Sequence, residues 1–293
     1  MQRWEKIAII GVGLLGGSIG LAVKKTQVAK RVEGYVRREE SISKCESIGA
    51  VDKASCNLKE VVSGADLIIL CTPLAQMKAL VEKMESFIQR DSVVTDVGSA
   101  KAKVVKELEP LIANMGAHFV GSHPMAGSEK TGVDAAKPNL FIGSICVITP
   151  TNNSNENAVK KIAEFWKELG GRVLKISPEL HDELVSRSSH LPHIIAAELA
   201  RYVLNPEYPK EQALLCSSGF RDTTRIASSS PEMWRDIVLA NRTQLSTVLE
   251  EFLNGLIKFK ELLDKEDAEK IEQFFKNAKK LRDDWIEQGH SPE

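Results

Sequence analysis

The sequence has 293 residues, of which 43% are hydrophobic and 27% are charged, and its formal net charge is −1. This length and composition predict an ordinary globular protein with two domains. The near-zero charge argues against nucleic acid or an acidic membrane as a partner. The five cysteines lie far apart without a C-x-x-C pair, which is typical of reduced thiols and not of a disulfide framework or a metal site.

An uncharged run at Ile7–Val23 has the apolar character of a signal sequence or a membrane span. The run is too short to cross a bilayer comfortably and contains five glycines, and Lys24 and Lys25 follow it where a cleavage site of small residues would lie. The pattern favours a buried strand that leads into a glycine-rich turn and a helix. We therefore expect a cytoplasmic protein without membrane contact.

Short apolar runs of strand length alternate with segments of helical periodicity through the first part of the chain. The predicted strands are Ile7–Ile10, Val32–Val36, Leu67–Cys71, Val93–Val97, Phe119–Val120, Ile145–Ile148 and Val173–Ile176. The predicted helices between them include Asn57–Ser63, Gln76–Ile88, Lys101–Met115 and Asn155–Leu169. This alternation predicts an α/β domain with a doubly wound, mostly parallel sheet. Continuous apolar strands indicate that both faces of the sheet are covered.

The chain changes character after about Ser177, where strand-like runs cease. Long amphipathic helices are predicted at Pro178–Leu204 and Met233–Leu263, and a charged amphipathic helix at Asp267–Gln288. Prolines at 206 and 209 interrupt this region. We predict a nucleotide-binding domain at residues 1–177 and an all-α domain at residues 178–293.

A glycine motif, G-V-G-L-L-G, follows the first predicted strand and opens the first predicted helix. In this context the motif predicts a Rossmann-type dinucleotide site. Gly11 permits the tight turn, Gly13 lets the pyrophosphate approach the backbone, and Gly16 lets the helix pack closely on the strand. The alternative is a glycine-rich turn that holds no ligand.

The end of the second predicted strand bears on the choice between NAD and NADP. NAD enzymes place a carboxylate about 20 residues after the glycine motif, where this chain has Val36 followed by Arg37 and Arg38. Guanidinium groups suit the 2′-phosphate of NADP, so the pattern favours NADP, with NAD as the alternative. In that alternative both arginines are solvated and Glu39 or Glu40 contacts the ribose.

Three polar segments follow apolar runs and carry the candidate chemistry: 95–101, 121–129 and 189–193. Ligands of open α/β sheets lie beyond the carboxyl ends of the strands, where the first two segments are expected. His123 follows a predicted strand at the edge that the nicotinamide would reach. With a reference pKa of about 6.5, a neutral histidine there is suited to accept a proton.

These segments, read as D-V-G-S-A-K, G-S-H-P-M-A-G-S-E and S-H-L-P-H, resemble the prephenate/arogenate dehydrogenase family. The later runs G-F-R-D-T-T-R-I-A and M-W-R-D-I agree with it in order and spacing, and the resemblance extends from Lys6 to about Leu263. It implies a Rossmann domain followed by a helical domain that dimerises. It also implies oxidative decarboxylation of prephenate or arogenate in tyrosine biosynthesis, with hydride transfer to a nicotinamide cofactor.

The resemblance implies roles for individual residues. His123 would accept the proton of the ring hydroxyl, Ser99 would hold the hydroxyl or the nicotinamide, and Arg225 would bind a substrate carboxylate. The other candidate substrate contacts are His190, Glu129 and Asp182, the last as a discriminator of the arogenate ammonium group. His190 is also a candidate catalytic residue, with His123 and Ser99. The candidate cofactor contacts are Gly11, Gly13, Leu14, Leu15, Gly16, Arg37, Arg38, Thr72, Pro73 and Ser99. No metal site is expected.

Several of these residues have structural alternatives. Ser99 could cap the helix that starts near Lys101, and Lys101 could be a solvated surface charge. His193 could be a core histidine, and Asp182 could complement a helix dipole. Arg221 and Asp222 could form a structural ion pair. Glu129 could pair with Arg225 or cap the turn that follows it. Trp234 could have a packing role alone.

Two other functional classes remain open. Another β-hydroxyacid dehydrogenase would share the two-domain plan, but such enzymes use a catalytic lysine in the helical domain, and residues 178–204 contain no lysine. A non-catalytic dinucleotide sensor would not need His123, His190 and Arg225 together. Within these 293 residues we expect neither a regulatory ACT domain nor a fused chorismate mutase.

Overall fold

The computed structural model describes residues 3–128 and 130–288, and eight strands in this part of the chain form the sheet. The strands are β1 (Trp4–Ile10), β2 (Ala29–Tyr35), β3 (Lys53–Ser55), β4 (Leu67–Leu70), β5 (Val93–Asp96), β6 (His118–Pro124), β7 (Ile145–Thr149) and β8 (Arg172–Lys175). All seven predicted strands are present. The short strand β3 was not predicted, because three residues of mixed polarity carry no alternating pattern.

The strand order is β3-β2-β1-β4-β5-β6-β7-β8. Neighbours from β3 to β6 are parallel, β7 is antiparallel to β6, and β8 is parallel to β7. The predicted doubly wound, mostly parallel sheet is therefore confirmed. Ile10 of β1 lies between Tyr35 of β2 and Leu70 of β4, so the order reverses at the carboxyl end of β1, where such sheets bind ligands.

Helices cover both faces of this sheet: α1 (Leu14–Thr26), α2 (Glu40–Ser47), α3 (Leu58–Val62), α4 (Leu74–Met84), α5 (Ala102–Asn114) and α6 (Glu156–Glu168). Alternate residues of a central strand enter different hydrophobic clusters, because successive side chains point to opposite faces. Ile7 and Ile9 pack in one cluster, and Ala8 and Ile10 in the other. Burial on two faces explains why β1 and β4 are apolar without alternation.

After β8 the described chain is mainly helical and contains α7 (Pro178–Val185), α8 (Leu191–Val203), α9 (Glu211–Leu214), α10 (Ser218–Thr224), α11 (Pro231–Ala240), α12 (Arg242–Asp264) and α13 (Ala268–Glu287). A π-helical turn at Ser186–His190 joins α7 to α8. The predicted helix at 178–204 therefore contains a π turn immediately before Pro192, whose ring cannot continue regular helical hydrogen bonding. The predicted helix at 233–263 is divided at Asn241.

By compactness the chain divides into Met1–Leu245 and Ser246–Glu293. The first unit contains the sheet together with α7 to α11, and the second contains α13 and most of α12. This division is based on compactness, whereas the predicted boundary at residue 177 separates the α/β part of the chain from the all-α part. The boundary at residue 177 stays a prediction. In the described ranges no helix combines the length and the apolar character that a membrane crossing requires.

Candidate active site

The glycine turn between β1 and α1 has the backbone geometry that a pyrophosphate requires. Gly11 has a φ of +102°, and a Cβ there would lie 2.9 Å from the Cys71 carbonyl oxygen. A side chain at Gly16 would collide with the Gly11 carbonyl, whereas the space beside Gly13 is open. The Thr72 hydroxyl at the end of β4 is buried without a hydrogen-bond partner in the described chain. An open backbone cradle and an unpartnered hydroxyl fit a dinucleotide.

The turn after β2 carries the residues predicted to choose the cofactor. Val36 is buried, while Arg37 and Arg38 are exposed. An Nη1 of Arg38 lies 3.4 Å from an Oε1 of Glu40, and both side chains are more than 60% exposed. Pro73 lies in the turn before α4, next to Thr72.

A cavity of about 460 Å³ lies beside the glycine turn, wholly within the first compact unit. The start of α1 contributes Leu14 and Leu15 to its wall, and the sheet and its turns contribute Ser99 and His123. The helical region after β8 contributes His193, Arg225 and Trp234. The structure thus brings together Ser99, His123 and Arg225, which the sequence predicts as site residues. His190 and Asp182 do not border the cavity.

His123, near the end of β6, has the properties of a neutral base. Its side chain is buried, and its Nδ1 lies 2.9 Å from the Nε2 of His181. Burial lowers the pKa of His123 well below its ordinary value, and the charges of His181, Lys101 and His190 lower it further. The ring is therefore unprotonated at neutral pH and is able to accept a proton.

A buried ion pair lies beneath His123. Lys101 and Asp96 are both fully buried and form a salt bridge, and the Lys101 ammonium also donates to the Ser122 carbonyl at 3.0 Å. The other Asp96 oxygen accepts the Ser122 backbone N–H at 3.2 Å. The alternative that Lys101 is a surface charge is wrong, since this lysine ties the end of β5 to β6.

Ser99 is positioned through its backbone. The Nε2 of His190 donates to the Ser99 carbonyl at 3.2 Å, and the His190 Nδ1 accepts from the Asn241 amide at 3.2 Å. Burial lowers the pKa of His190 to about 4. His190 therefore supports a cavity residue from behind and does not itself face the cavity, contrary to the predicted substrate contact.

Asp182 also differs from its prediction. Its Oδ1 accepts the backbone N–H of Lys101 at 2.7 Å, and its Oδ2 accepts that of Ala102 at 2.9 Å. The carboxylate thereby caps α5, so the alternative that Ser99 is the cap is wrong. The Nδ1 of His181 lies 2.8 Å from the same Oδ1. Buried among these donors, Asp182 is not placed to contact a substrate ammonium group.

His193 lies in the cavity wall, although its sequence position suggested a core residue. Its ring stacks on Trp234 with centroids 3.8 Å apart, and its Nδ1 donates to the Ser189 carbonyl at 3.0 Å. Burial lowers the pKa of His193, and the charge of Arg225 lowers it further. The Trp234 indole N–H is buried without a hydrogen-bond partner among the described residues. This end of the cavity wall therefore combines the guanidinium of Arg225 with the rings of His193 and Trp234.

The remaining predicted residues fall outside this arrangement. Glu129 lies outside the described residues. Arg221 and Asp222 are exposed on α10. The residues that sequence reasoning missed are His181 and Asn241, whose polar side chains lie within helical patterns and give no local signal.

The family of the chain follows from comparison with known proteins. The family model described as the prephenate dehydrogenase nucleotide-binding domain matches residues 19–175. The model described as the prephenate dehydrogenase dimerization domain matches residues 177–277. The chain belongs to the prephenate dehydrogenase family. This confirms the resemblance and makes the chain an NAD(P)-dependent oxidoreductase.

Individual relatives agree with this assignment. Prephenate dehydrogenase of Bacillus subtilis is 38% identical over 96% of this chain and 76% of that protein. Cyclohexadienyl dehydrogenase of Zymomonas mobilis is 33% identical over 96% of each chain. Prephenate dehydrogenase of Aquifex aeolicus, in a complex with hydroxyphenyl propionate and NAD+, is 33% identical with a TM-score of 0.89, covering 96% of this chain and 98% of that one.

Proposed function

We propose that this chain oxidatively decarboxylates prephenate or arogenate in tyrosine biosynthesis, with a nicotinamide dinucleotide as the oxidant. The observation that carries the proposal is that one cavity is bordered by the start of α1, next to the glycine turn, by the neutral base His123 and by the cation Arg225. The relatives support the substrate class, because their names include prephenate and cyclohexadienyl dehydrogenases.

The substrate is a cyclohexadiene with a 4-hydroxyl, a ring carboxylate and a side chain. When bound, the oxidised nicotinamide supplies the hydride acceptor. His123 accepts the hydroxyl proton as hydride leaves C4, the bond to the ring carboxylate breaks, and carbon dioxide departs as the ring becomes aromatic. The proton then returns to the phenolate oxygen. Aromatisation supplies much of the driving force, so the protein mainly orients the reacting groups.

The other wall residues hold the substrate in this orientation. Arg225 is suited to a carboxylate because its guanidinium forms paired, charge-assisted hydrogen bonds. Trp234 and His193 lie in the same wall. The indole N–H of Trp234 is able to donate a hydrogen bond to the side chain of the substrate, whereas the Nε2 of neutral His193, whose Nδ1 carries the proton, is only able to accept one. Ser99 lies in the same wall as His123. Its hydroxyl would form a hydrogen bond to the 4-hydroxyl of the substrate and restrain it.

We propose that NADP is preferred to NAD. Val36 stands where NAD enzymes have a carboxylate, and Arg37 and Arg38 are exposed beside it. The exposed pair of Arg38 with Glu40 is worth at most about 1 kcal/mol, so a phosphate could displace Glu40 readily. The nicotinamide cofactor itself follows from the nucleotide-binding domain.

We also propose a homodimer built by the helical region at 178–293. The family model over residues 177–277 is that of a dimerization domain. The unit Ser246–Glu293 exposes several large apolar side chains, which include Leu253, Leu256, Ile257, Phe275, Leu281 and Trp285. Such side chains are typical of a surface that a second subunit covers. Light scattering should give twice the chain mass of 32.3 kDa, and a monomer at micromolar concentration would contradict the proposal.

The activity is tested by following nicotinamide reduction in the ultraviolet with each of three substrates and both cofactors. Prephenate or arogenate should be turned over with release of carbon dioxide, whereas 3-hydroxyisobutyrate should not. Turnover of 3-hydroxyisobutyrate alone would show a different β-hydroxyacid dehydrogenase. Cofactor binding without turnover of any of the three would indicate a dinucleotide sensor.

A further inference from the structure

His123 is one end of a chain of three buried side chains. Its Nδ1 lies 2.9 Å from the Nε2 of His181, and the Nδ1 of His181 lies 2.8 Å from the Oδ1 of Asp182. Asp182 is fixed in turn by the backbone N–H groups of Lys101 and Ala102. Those N–H groups open helix α5, whose positive end favours the carboxylate. His181 and Asp182 are adjacent on α7, so one helix carries both supporting groups.

The direction of each hydrogen bond in this chain follows from the chemistry of the groups. A carboxylate only accepts hydrogen bonds. The Nδ1 of His181 therefore carries a proton and donates a hydrogen bond to Asp182. Burial lowers the pKa of His181, so the ring is neutral and its Nε2 is a bare acceptor. The Nδ1 of His123 must therefore donate to it, which leaves the Nε2 of His123 unprotonated.

We propose that His181, held by Asp182, is a positioning residue that fixes His123 in the tautomer whose Nε2 is the base. This inference rests on the proposed function for the use of His123, but the tautomer itself is a property of the protein without substrate. When the Nε2 of His123 accepts a proton, the Nδ1–H of His123 keeps its hydrogen bond to the Nε2 of His181. The carboxylate of Asp182 then partly offsets the new positive charge.

Other titratable groups surround this pair. Lys101, on the loop before α5, disfavours a positive charge on His123, and Lys101 itself is paired with Asp96 at the end of β5. A positive charge on His190, in the π turn, lowers the pKa of His123 further. These groups affect the charge of His123. Among the residues that the structure describes, only His181 forms a hydrogen bond that distinguishes the two His123 nitrogens.

Two variants of His181 separate positioning from simple packing. In His181→Gln the terminal amide oxygen lies near the place of Nε2 and is able to accept the proton of His123 Nδ1. In His181→Leu the volume is similar and the acceptor is lost. The ¹⁵N shifts of the imidazole nitrogens, assigned by the signals lost in His123→Asn, report the tautomer without turnover.

The wild type and His181→Gln should show His123 protonated at Nδ1, while His181→Leu should shift the population toward Nε2–H. With prephenate, His181→Leu should lose about tenfold to 100-fold in kcat, since a wrong histidine tautomer is costly in catalysis. Its KM should stay within about twofold, and His181→Gln should keep kcat within about threefold of the wild type.

Several results would overturn the proposal. An Nε2–H tautomer in wild-type His123 contradicts it directly, even if neither variant folds. An unchanged tautomer and kcat in His181→Leu also contradict it. Equal losses in both variants, in step with a lower Tm, would show that His181 only packs. A wild-type protein that shows the expected tautomer but oxidises neither prephenate nor arogenate would instead refute the proposed function and leave the positioning intact.

Discussion

The two ends of the site, where the reaction and the ribose are expected, are built in contrasting ways. At the reaction end, His123, Lys101 and Asp182 are buried, and each forms at least one hydrogen bond to a neighbouring element. At the ribose end, Arg37 and Arg38 are exposed on a turn. At the reaction end, the protein fixes the positions of these groups before any ligand binds. At the ribose end, the protein alone holds the arginine side chains less firmly.

This difference has an energetic consequence. Removing one partner from a buried polar network leaves another group without hydrogen bonds, which costs about 1–3 kcal/mol or more. Removing one member of an exposed pair costs at most about 1 kcal/mol. Substitutions at the reaction end should therefore have large effects on rate or stability, and substitutions at the ribose end should mainly change which cofactor is chosen.

The largest effect is expected from His123→Asn. Loss of the general base should lower kcat by roughly 10² to 10⁴, with a smaller effect on cofactor affinity. The matched control is His118→Asn, at the opposite end of the same strand, which should keep wild-type kcat. Steady-state kinetics with prephenate measure both variants. Near-normal turnover in His123→Asn would remove this residue from the mechanism.

The next effect concerns the anion-binding end of the cavity. Arg225→Ala should raise KM by an amount that corresponds to about 2–4 kcal/mol of binding, as for a charge-assisted pair that becomes enclosed when substrate binds. Arg235→Ala is the control, because Arg235 is an exposed arginine on α11 that does not border the cavity. If KM for prephenate is the same in Arg225→Ala as in the wild type, another residue holds the carboxylate.

The fold at the reaction end was largely predictable from the sequence. Continuous apolar strands and the glycine motif predicted the sheet and its ligand-binding edge, because burial on two faces leaves a clear pattern in the residues. The short strand β3 and the π turn at 186–190 were not predicted. Both depend on tertiary contacts and on a local change of hydrogen bonding that leave no periodic signal.

The site was predictable only in part. Residues at the ends of strands, such as Ser99 and His123, could be placed because strand ends meet at one edge of a parallel sheet. Residues on helices could not, since the sequence does not show which face of α7 or α8 meets the cavity. For that reason His190 and Asp182 were expected to contact the substrate, whereas they support other groups and His193 lies in the wall.

The third effect is on stability and comes from His190. In the unfolded chain a histidine takes up a proton near pH 6.5, whereas burial lowers the pKa of folded His190 to about 4. The unfolded state thus binds more protons between these values, so stability falls as the pH drops from about 6.5 to about 4. At about 1.4 kcal/mol for each pKa unit, the loss is roughly 3 kcal/mol at the lower end.

Urea unfolding at pH 7 and pH 5 tests this expectation. His190→Gln should be less sensitive to pH than the wild type, because glutamine keeps a donor for the Ser99 carbonyl but does not titrate. His118→Gln, which changes a histidine with an accessible side chain, should keep the wild-type dependence. Equal dependence on pH in the wild type and His190→Gln would show that His190 is not held neutral by burial.

The smallest effect, about tenfold or 1.4 kcal/mol, is expected at the ribose end. The 2′-phosphate of NADP carries close to two negative charges, so exposed Arg37 and Arg38 should bind it through charge-assisted hydrogen bonds. Wild-type kcat/KM should be higher with NADP than with NAD, and Val36→Asp combined with Arg37→Ala should move the preference toward NAD.

Because Val36 is buried, Arg37→Ala with Arg38→Ala tests the charges without placing a carboxylate in the core. Lys30→Ala, an exposed lysine near the start of β2, should leave the ratio unchanged. A wild type that prefers NAD by tenfold or more would show that both arginines are merely solvated.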